Sequence, residues 1–168
     1  MTAPRSAAVL DGQMQVGLPA GYCIDKASSR ETRETAVLFI GPCSDGNKKP
    51  PALISIVIGN GGSAGVMTAG GAALAGFFKS PQGRATLSRR GRASDLKILT
   101  ASGSDNLLLL RIYDKTIGEY WRAITGLRGR LVTISIMGSP ANPLAPAEGR
   151  KLLDAALRAM QAANRTPA

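Results

Sequence analysis

The chain has 168 residues, of which 44% are apolar and 19% charged, a balance that suits one domain with a buried core and excludes a disordered tail. Its formal net charge is +10 and it contains no histidine, so the commonest general base and the commonest transition-metal ligand are missing, and triads of the usual serine or cysteine kind cannot be built. Metal and cofactor are therefore expected to be absent. The charge is uneven, with residues 1–45 summing to −1, 46–113 to +7 and 114–168 to +4. A basic middle and end draw lipid headgroups, nucleic acid or an acidic protein, or else serve solubility alone.

No basic-then-apolar leader opens the chain. Residues 1–7 read as a frayed lead-in, either the start of a cytosolic protein or one from which an export signal has been trimmed. A first strand is expected over Val9–Val16, interrupted at Asp11-Gly12. Leu18–Gly21 is a turn, Gly21–Asp25 a short strand, and Lys26–Thr35 a polar surface loop or one helical turn. Ala36–Cys43 reads as a buried strand, Ser44–Pro51 as an exposed loop, and Ala52–Ile58 as a strong strand with Ile54, Ile56 and Ile58 on one face. Cys23 and Cys43, the two cysteines, fall in or beside neighbouring strands. That places them within disulfide reach, the alternative being two buried thiols.

After the glycine-rich Gly59–Gly65, helices are expected over Thr68–Lys79 and Pro81–Arg89, the second closed by Gly91. Four strand-like runs then follow back to back: Leu96–Ala101, Leu107–Tyr113, Tyr120–Thr125 and Leu131–Gly138. Strands joined by short turns pair antiparallel, because parallel pairing needs a crossover of about a dozen residues. Ala147–Ala163 is the clearest helix, its apolar stripe made by Leu152, Leu153, Ala156, Leu157 and Met160. No apolar run is long enough to cross a membrane as a helix. The expected architecture is a single α+β domain, a twisted, mostly antiparallel sheet flanked by helices. Leu38/Ile40, Ile54/Ile56/Ile58, Leu108/Leu110/Ile112 and Val132/Ile134/Ile136 are expected to meet the stripe of the closing helix.

Four groups of residues invite a functional reading. Gly59-Asn60-Gly61-Gly62-Ser63-Ala64 fits G-x-G-x-x-A between a strand and a helix, where backbone N–H groups could cradle a pyrophosphate. Yet no acidic residue follows at the required spacing and no Gly-Lys-Ser/Thr is present, so a plain strand-to-helix connection competes with a nucleotide loop. Arg84, Arg89, Arg90, Arg92 and Lys97 gather near the end of the second helix, with Arg122, Arg128 and Arg130 as an extension. With no interleaved aromatics, they suit phosphate or headgroup contact better than base stacking and argue against sequence-specific nucleic-acid binding. The same charges also suit a helix C-terminus. Tyr120 and Trp121 either line a partner surface or plug the sheet beneath a helix. Asp105, Asp114 and Glu119 could as paired carboxylates do acid–base chemistry, but Asp105 and Asp114 sit in turns, where Asp is ordinary turn chemistry.

The element order resembles the PsbP/Mog1-like α/β fold. Four stretches, Pro19–Asp25 (PAGYCID), Ala85–Gly91 (ATLSRRG), Trp121–Thr133 (WRAITGLRGRLVT) and the closing helix with Asn164, resemble a family of small exported proteins of alphaproteobacteria of the Rhodobacterales type. The resemblance implies an export or lipoprotein signal in the relatives, a periplasmic or outer-face location, and a non-enzymatic accessory role at a protein assembly or an anionic membrane surface. The competing expectations are a cytosolic chaperone-like binder acting through Arg84–Lys97, and an enzyme with a nucleotide at Gly59–Gly65.

Overall fold

The computed structural model describes residues 6–43, 52–88, 90–139 and 142–165. Nine strands occur in it: β1 (Ser6–Val9), β2 (Met14–Gly17), β3 (Tyr22–Glu31), β4 (Ala36–Pro42), β5 (Leu53–Ile58), β6 (Leu96–Ser104), β7 (Leu107–Asp114), β8 (Gly118–Leu127) and β9 (Arg130–Met137). The α-helices are α1 (Gly71–Lys79), α2 (Pro81–Leu87) and α3 (Pro146–Ala163), with short 3-10 segments at Ser63–Ala69 and Ala93–Asp95. The fold is α+β. Seven strands form one antiparallel sheet in the order β3-β4-β5-β9-β8-β7-β6, and β1 and β2 form a separate hairpin. The four back-to-back strands pair as expected. No helix among the described residues is long and apolar enough to cross a membrane.

Several boundaries differ from expectation. The chain reverses at Leu10-Asp11-Gly12, where φ is 55°, 56° and 81°, so Val9–Val16 is a turn and two strands instead of one interrupted strand. Ser6 and Ala7 already belong to its first arm. Lys26–Thr35 is neither loop nor helical turn up to Glu31, because β3 continues through a bulge between Asp25 and Arg30. Within that bulge the Ser28 hydroxyl donates to the Asp25 carboxylate. This bond, backed by the Ala27 N–H, holds the carboxyl below the usual carboxylate range. Gly70, with φ 89°, divides the expected Thr68–Lys79 helix into a 3-10 segment and α1. The expected Ser44–Pro51 loop lies outside the described residues.

The sheet has two cores, one on each face. On the first, α3 and the β1–β2 hairpin cover Leu38, Ile40, Ile54, Ile56, Ile58, Val132, Ile134 and Ile136. Leu153, Ala156, Leu157 and Met160 deliver the helix stripe to it, as expected. Leu108, Leu110 and Ile112 do not join them. They stand on the opposite face with Leu96, Tyr120 and Ile124, beneath α1 and α2. The register explains the swap. Ile134 pairs with Ala123, and Ala123 with Leu109, so it is Leu109 that shares the face of the β9 isoleucines.

Asn164 closes the first core. Its Oδ1 accepts from the Gln15 N–H at 2.8 Å, and its Nδ2 donates to the Gln15 carbonyl at 2.7 Å and the Met160 carbonyl at 2.8 Å. One amide thus completes the edge of β2 and the last turn of α3. Asn164→Ala is expected to cost about 2–3 kcal/mol by leaving these groups unpaired, measured by urea unfolding. A loss below about 0.5 kcal/mol would show that water replaces the amide.

Cys23 and Cys43 form a disulfide with Cα atoms 5.1 Å apart, both residues being buried. The bridge fastens the outermost strand, β3, to the end of β4. Reducing it is expected to lower stability by about 3 kcal/mol, read as a shift of the denaturation midpoint with and without reductant.

Candidate binding surface

On the face carrying the second core, α1 packs against β6 and β7, α2 against β6, and the 3-10 segment Ser63–Ala69 against β8 and β9. Among the described residues no helix packs over β3, β4 and β5 there. A helix with its side chains is about 10 Å thick. The layer therefore ends in a step, beside a ledge of bare strands about 15 Å wide.

Neighbouring side chains on this ledge follow from register. One row runs Leu53, Met137, Tyr120; the next Asp25, Phe39, Ser55, Ser135, Arg122; the third Arg30, Val37, Val57, Thr133, Ile124, with the two charged residues on the outermost strand, β3. Leu53 and Val57 are 40% and 39% exposed, and Val37 and Phe39 are half-buried. At the foot of the step stands Arg122, half-buried. Its Nε donates to the Ser135 hydroxyl at 3.1 Å and its guanidinium lies 5.3 Å from the centre of the Tyr120 ring. Its two Nη groups have no hydrogen-bond or ion-pair partner among the described residues.

The expected basic patch does not form as a unit. Arg130 is buried, 6% exposed, and donates to the Glu34 carbonyl at 2.6 Å, the Gly59 carbonyl at 2.9 Å and Gln13 Oε1 at 2.6 Å. It rivets three loops and presents no charge to a partner. Arg128 donates to the Asn164 carbonyl at the end of α3, which is helix-end chemistry. Arg122 faces the ledge. Of the remaining cluster, Arg90 pairs with the buried Asp95 at 2.8 Å and Arg84 is half-buried with its Nε enclosed. Arg92 and Lys97 are exposed, and Arg89 lies outside the described residues.

Tyr120 and Trp121 do not share a surface, because successive strand residues point to opposite faces. Tyr120 is buried in the second core, which corrects its assignment to a partner surface. Trp121 takes the plugging role: its Nε1 donates to the Pro146 carbonyl at 3.0 Å and Arg150 lies over its ring, so the indole seats the start of α3. A Cβ on Gly149 would stand 2.7 Å from this ring, which is why the helix carries glycine there. Asp114 Oδ1 accepts from Thr116 within its own turn, and Glu119 pairs with Arg111 at 2.7 Å.

The glycine stretch is held by the protein itself. The N–H groups of Gly59, Gly62, Ser63, Ala64 and Gly65 donate to the carbonyls of Leu131, Gly129, Asn60, Gly129 and Gly62. A 3-10 segment instead of an α-helix begins within it at Ser63, and the strand before it is antiparallel to both neighbours. These five donors are spent within the protein, which argues against the cradle that a pyrophosphate needs. Elsewhere, a cleft of about 450 Å³ lies between the β2–β3 turn and α3, with Pro19, Tyr22, Leu144 and Leu152 in its wall and Glu148 and Lys151 at its rim. Burial raises the Tyr22 phenol pKa. No group of three or more metal-ligating side chains is assembled among the described residues.

The open ledge was not legible as a site because the strand patterns announce burial on both faces. Among the described residues, the placement of α1 and α2 over β6 and β7 leaves β4 and β5 bare on this face. The chain matches no protein-family model, no curated protein and no solved structure.

Proposed function

We infer that the protein is a non-enzymatic accessory protein that docks onto a protein assembly outside the cytoplasm. The observation that carries this reading is the bare half of the sheet. In β4 (AVLFIGP) and β5 (LISIVI) the residues between the core positions are mostly apolar as well, the pattern of strands buried on both faces. The described residues cover only one. Accessory proteins of the PsbP/Mog1-like kind, which the element order resembles, belong to the same reading by fold-level analogy. The buried disulfide accords with an oxidising compartment. Exposed Arg92 and Lys97, with the net charge of +10, would hasten the approach of an acidic partner.

A photoreactive residue at Val57 tests the docking, with one at exposed Ala72 on α1 as control. The expected result is a discrete adduct at position 57 alone, abolished by Leu53→Glu. Equal labelling at both positions would defeat the reading. Titration of free thiols in protein taken from its native host should find none, and two would defeat the extracytoplasmic part.

A further inference from the structure

We propose that the ledge receives an amphipathic helix of a partner protein, seated beside α1 and α2 as the missing part of their layer, with an acidic side chain of that helix held by Arg122. The proposal rests on the docking reading above and names the chemistry of its occupant. Three observations fix that chemistry. On β4, β5 and β9 the floor is mostly apolar on two rows, with Leu53 and Met137 on one and Val37 and Val57 beside Thr133 on the other, and so takes an apolar helix stripe. The row between them ends at Arg122, whose Nε is already anchored on Ser135. That anchor orients the guanidinium and leaves its Nη groups to a carboxylate, the acceptor that a planar fork fits best. The ledge is also one helix diameter deep and wider than a helix.

Other occupants fit less well. Residues 44–51, which join β4 to β5, read SDGNKKPP and hold no Leu, Ile, Val, Met or aromatic residue for this floor. A second copy would bring another chain of charge +10 and another Arg122 against the first. A flat lipid surface meets α1 and α2 before it reaches a guanidinium at the foot of the step.

The test uses stapled helical peptides of about 18 residues, about 27 Å long, with one apolar stripe and a single central Glu, Ala or Lys. Binding is followed by backbone amide shifts of the full chain. The Glu peptide should shift the amides of β4, β5 and β9 and bind about tenfold more tightly than the Ala peptide, the scale of one charge-assisted hydrogen bond. Arg122→Gln should erase that preference, and Arg122→Lys, which keeps the charge, should retain part of it. Equal affinity for all three peptides with shifts on β4 and β5 would overturn the role of Arg122 while leaving the docking reading intact. Absence of shifts on these strands with every peptide would overturn both. Sedimentation showing a dimer that protects Val57, or binding to anionic vesicles that survives Arg122→Gln while the peptides fail, would replace the helix with a second copy or a membrane.

Discussion

Arg130→Met is expected to lower the unfolding free energy by about 3–5 kcal/mol, with a melting temperature lower by about 10 °C. The guanidinium is 6% exposed and donates to the Glu34 carbonyl, the Gly59 carbonyl and Gln13. These acceptors belong to three separate segments: the β3–β4 turn, the end of β5 and the β1–β2 turn. A methionine fills much of the volume but donates nothing. The orphaned acceptors then carry a desolvation penalty of about 1–3 kcal/mol each unless water reaches them. Arg130→Lys should recover only part of the loss, since one ammonium cannot reproduce a planar fork that serves three acceptors. Differential scanning calorimetry on the three proteins checks the order Arg, Lys, Met. A methionine variant within about 1 kcal/mol of the parent would show that the loops hold together without this rivet.

The second large effect is expected at Gly71 and Gly103, where the start of α1 crosses β6 at backbone contact. A Cβ on Gly71 would lie 2.1 Å from the Leu107 carbonyl oxygen and 2.3 Å from that of Ser104. One on Gly103 would lie 2.2 Å from the carbonyl carbon of Gly71. The opposing atoms are backbone, so no rotamer change relieves the clash, and α1 must withdraw from the sheet. Gly71→Ala is therefore expected to cost about 4 kcal/mol, above the 1–3 kcal/mol usual for overpacking. Intrinsic helix propensity points the other way, since alanine is the better helix former by about 1 kcal/mol. The sign of the effect thus separates tertiary crowding from local preference. Each substitution breaks the same contact, so the double variant should lose less than the sum of the two single losses. Urea unfolding of the set provides the measurement, and a stabilised Gly71→Ala protein would defeat the account.

The ledge bears on solution behaviour as well. Leu53 and Val57 are exposed on β5, an inner strand of the sheet. The stabilising contacts of the molecule lie elsewhere, in its two cores. Substitutions at Leu53 and Val57 are therefore expected to have little effect on folding, whereas those at Arg130 and Gly71 act on folding first.

Much of the molecule was written in its local patterns. Alternation along Ala52–Ile58 and Leu131–Gly138 determined strands, and the short turns between the last four strands determined antiparallel neighbours, because a hairpin admits no other pairing. The 3.6-residue stripe of Ala147–Ala163 determined the roofing helix, and two cysteines in or beside neighbouring strands allowed the bridge. What local patterns do not carry is the choice of face. Leu108, Leu110 and Ile112 alternate as regularly as Ile54, Ile56 and Ile58, yet they lie beneath α1 and α2 on the other side. Which of two apolar faces meets which helix depends on register summed across several strands, and one step of register inverts it. The same holds for the cations. Arg122, Arg128 and Arg130 are near neighbours in the chain, but a strand and a tight turn send them to the ledge, to the end of α3 and into a buried knot of carbonyls. Only the tertiary structure decided which of these charges is spent inside the protein, because that depends on acceptors supplied by residues more than 30 positions away.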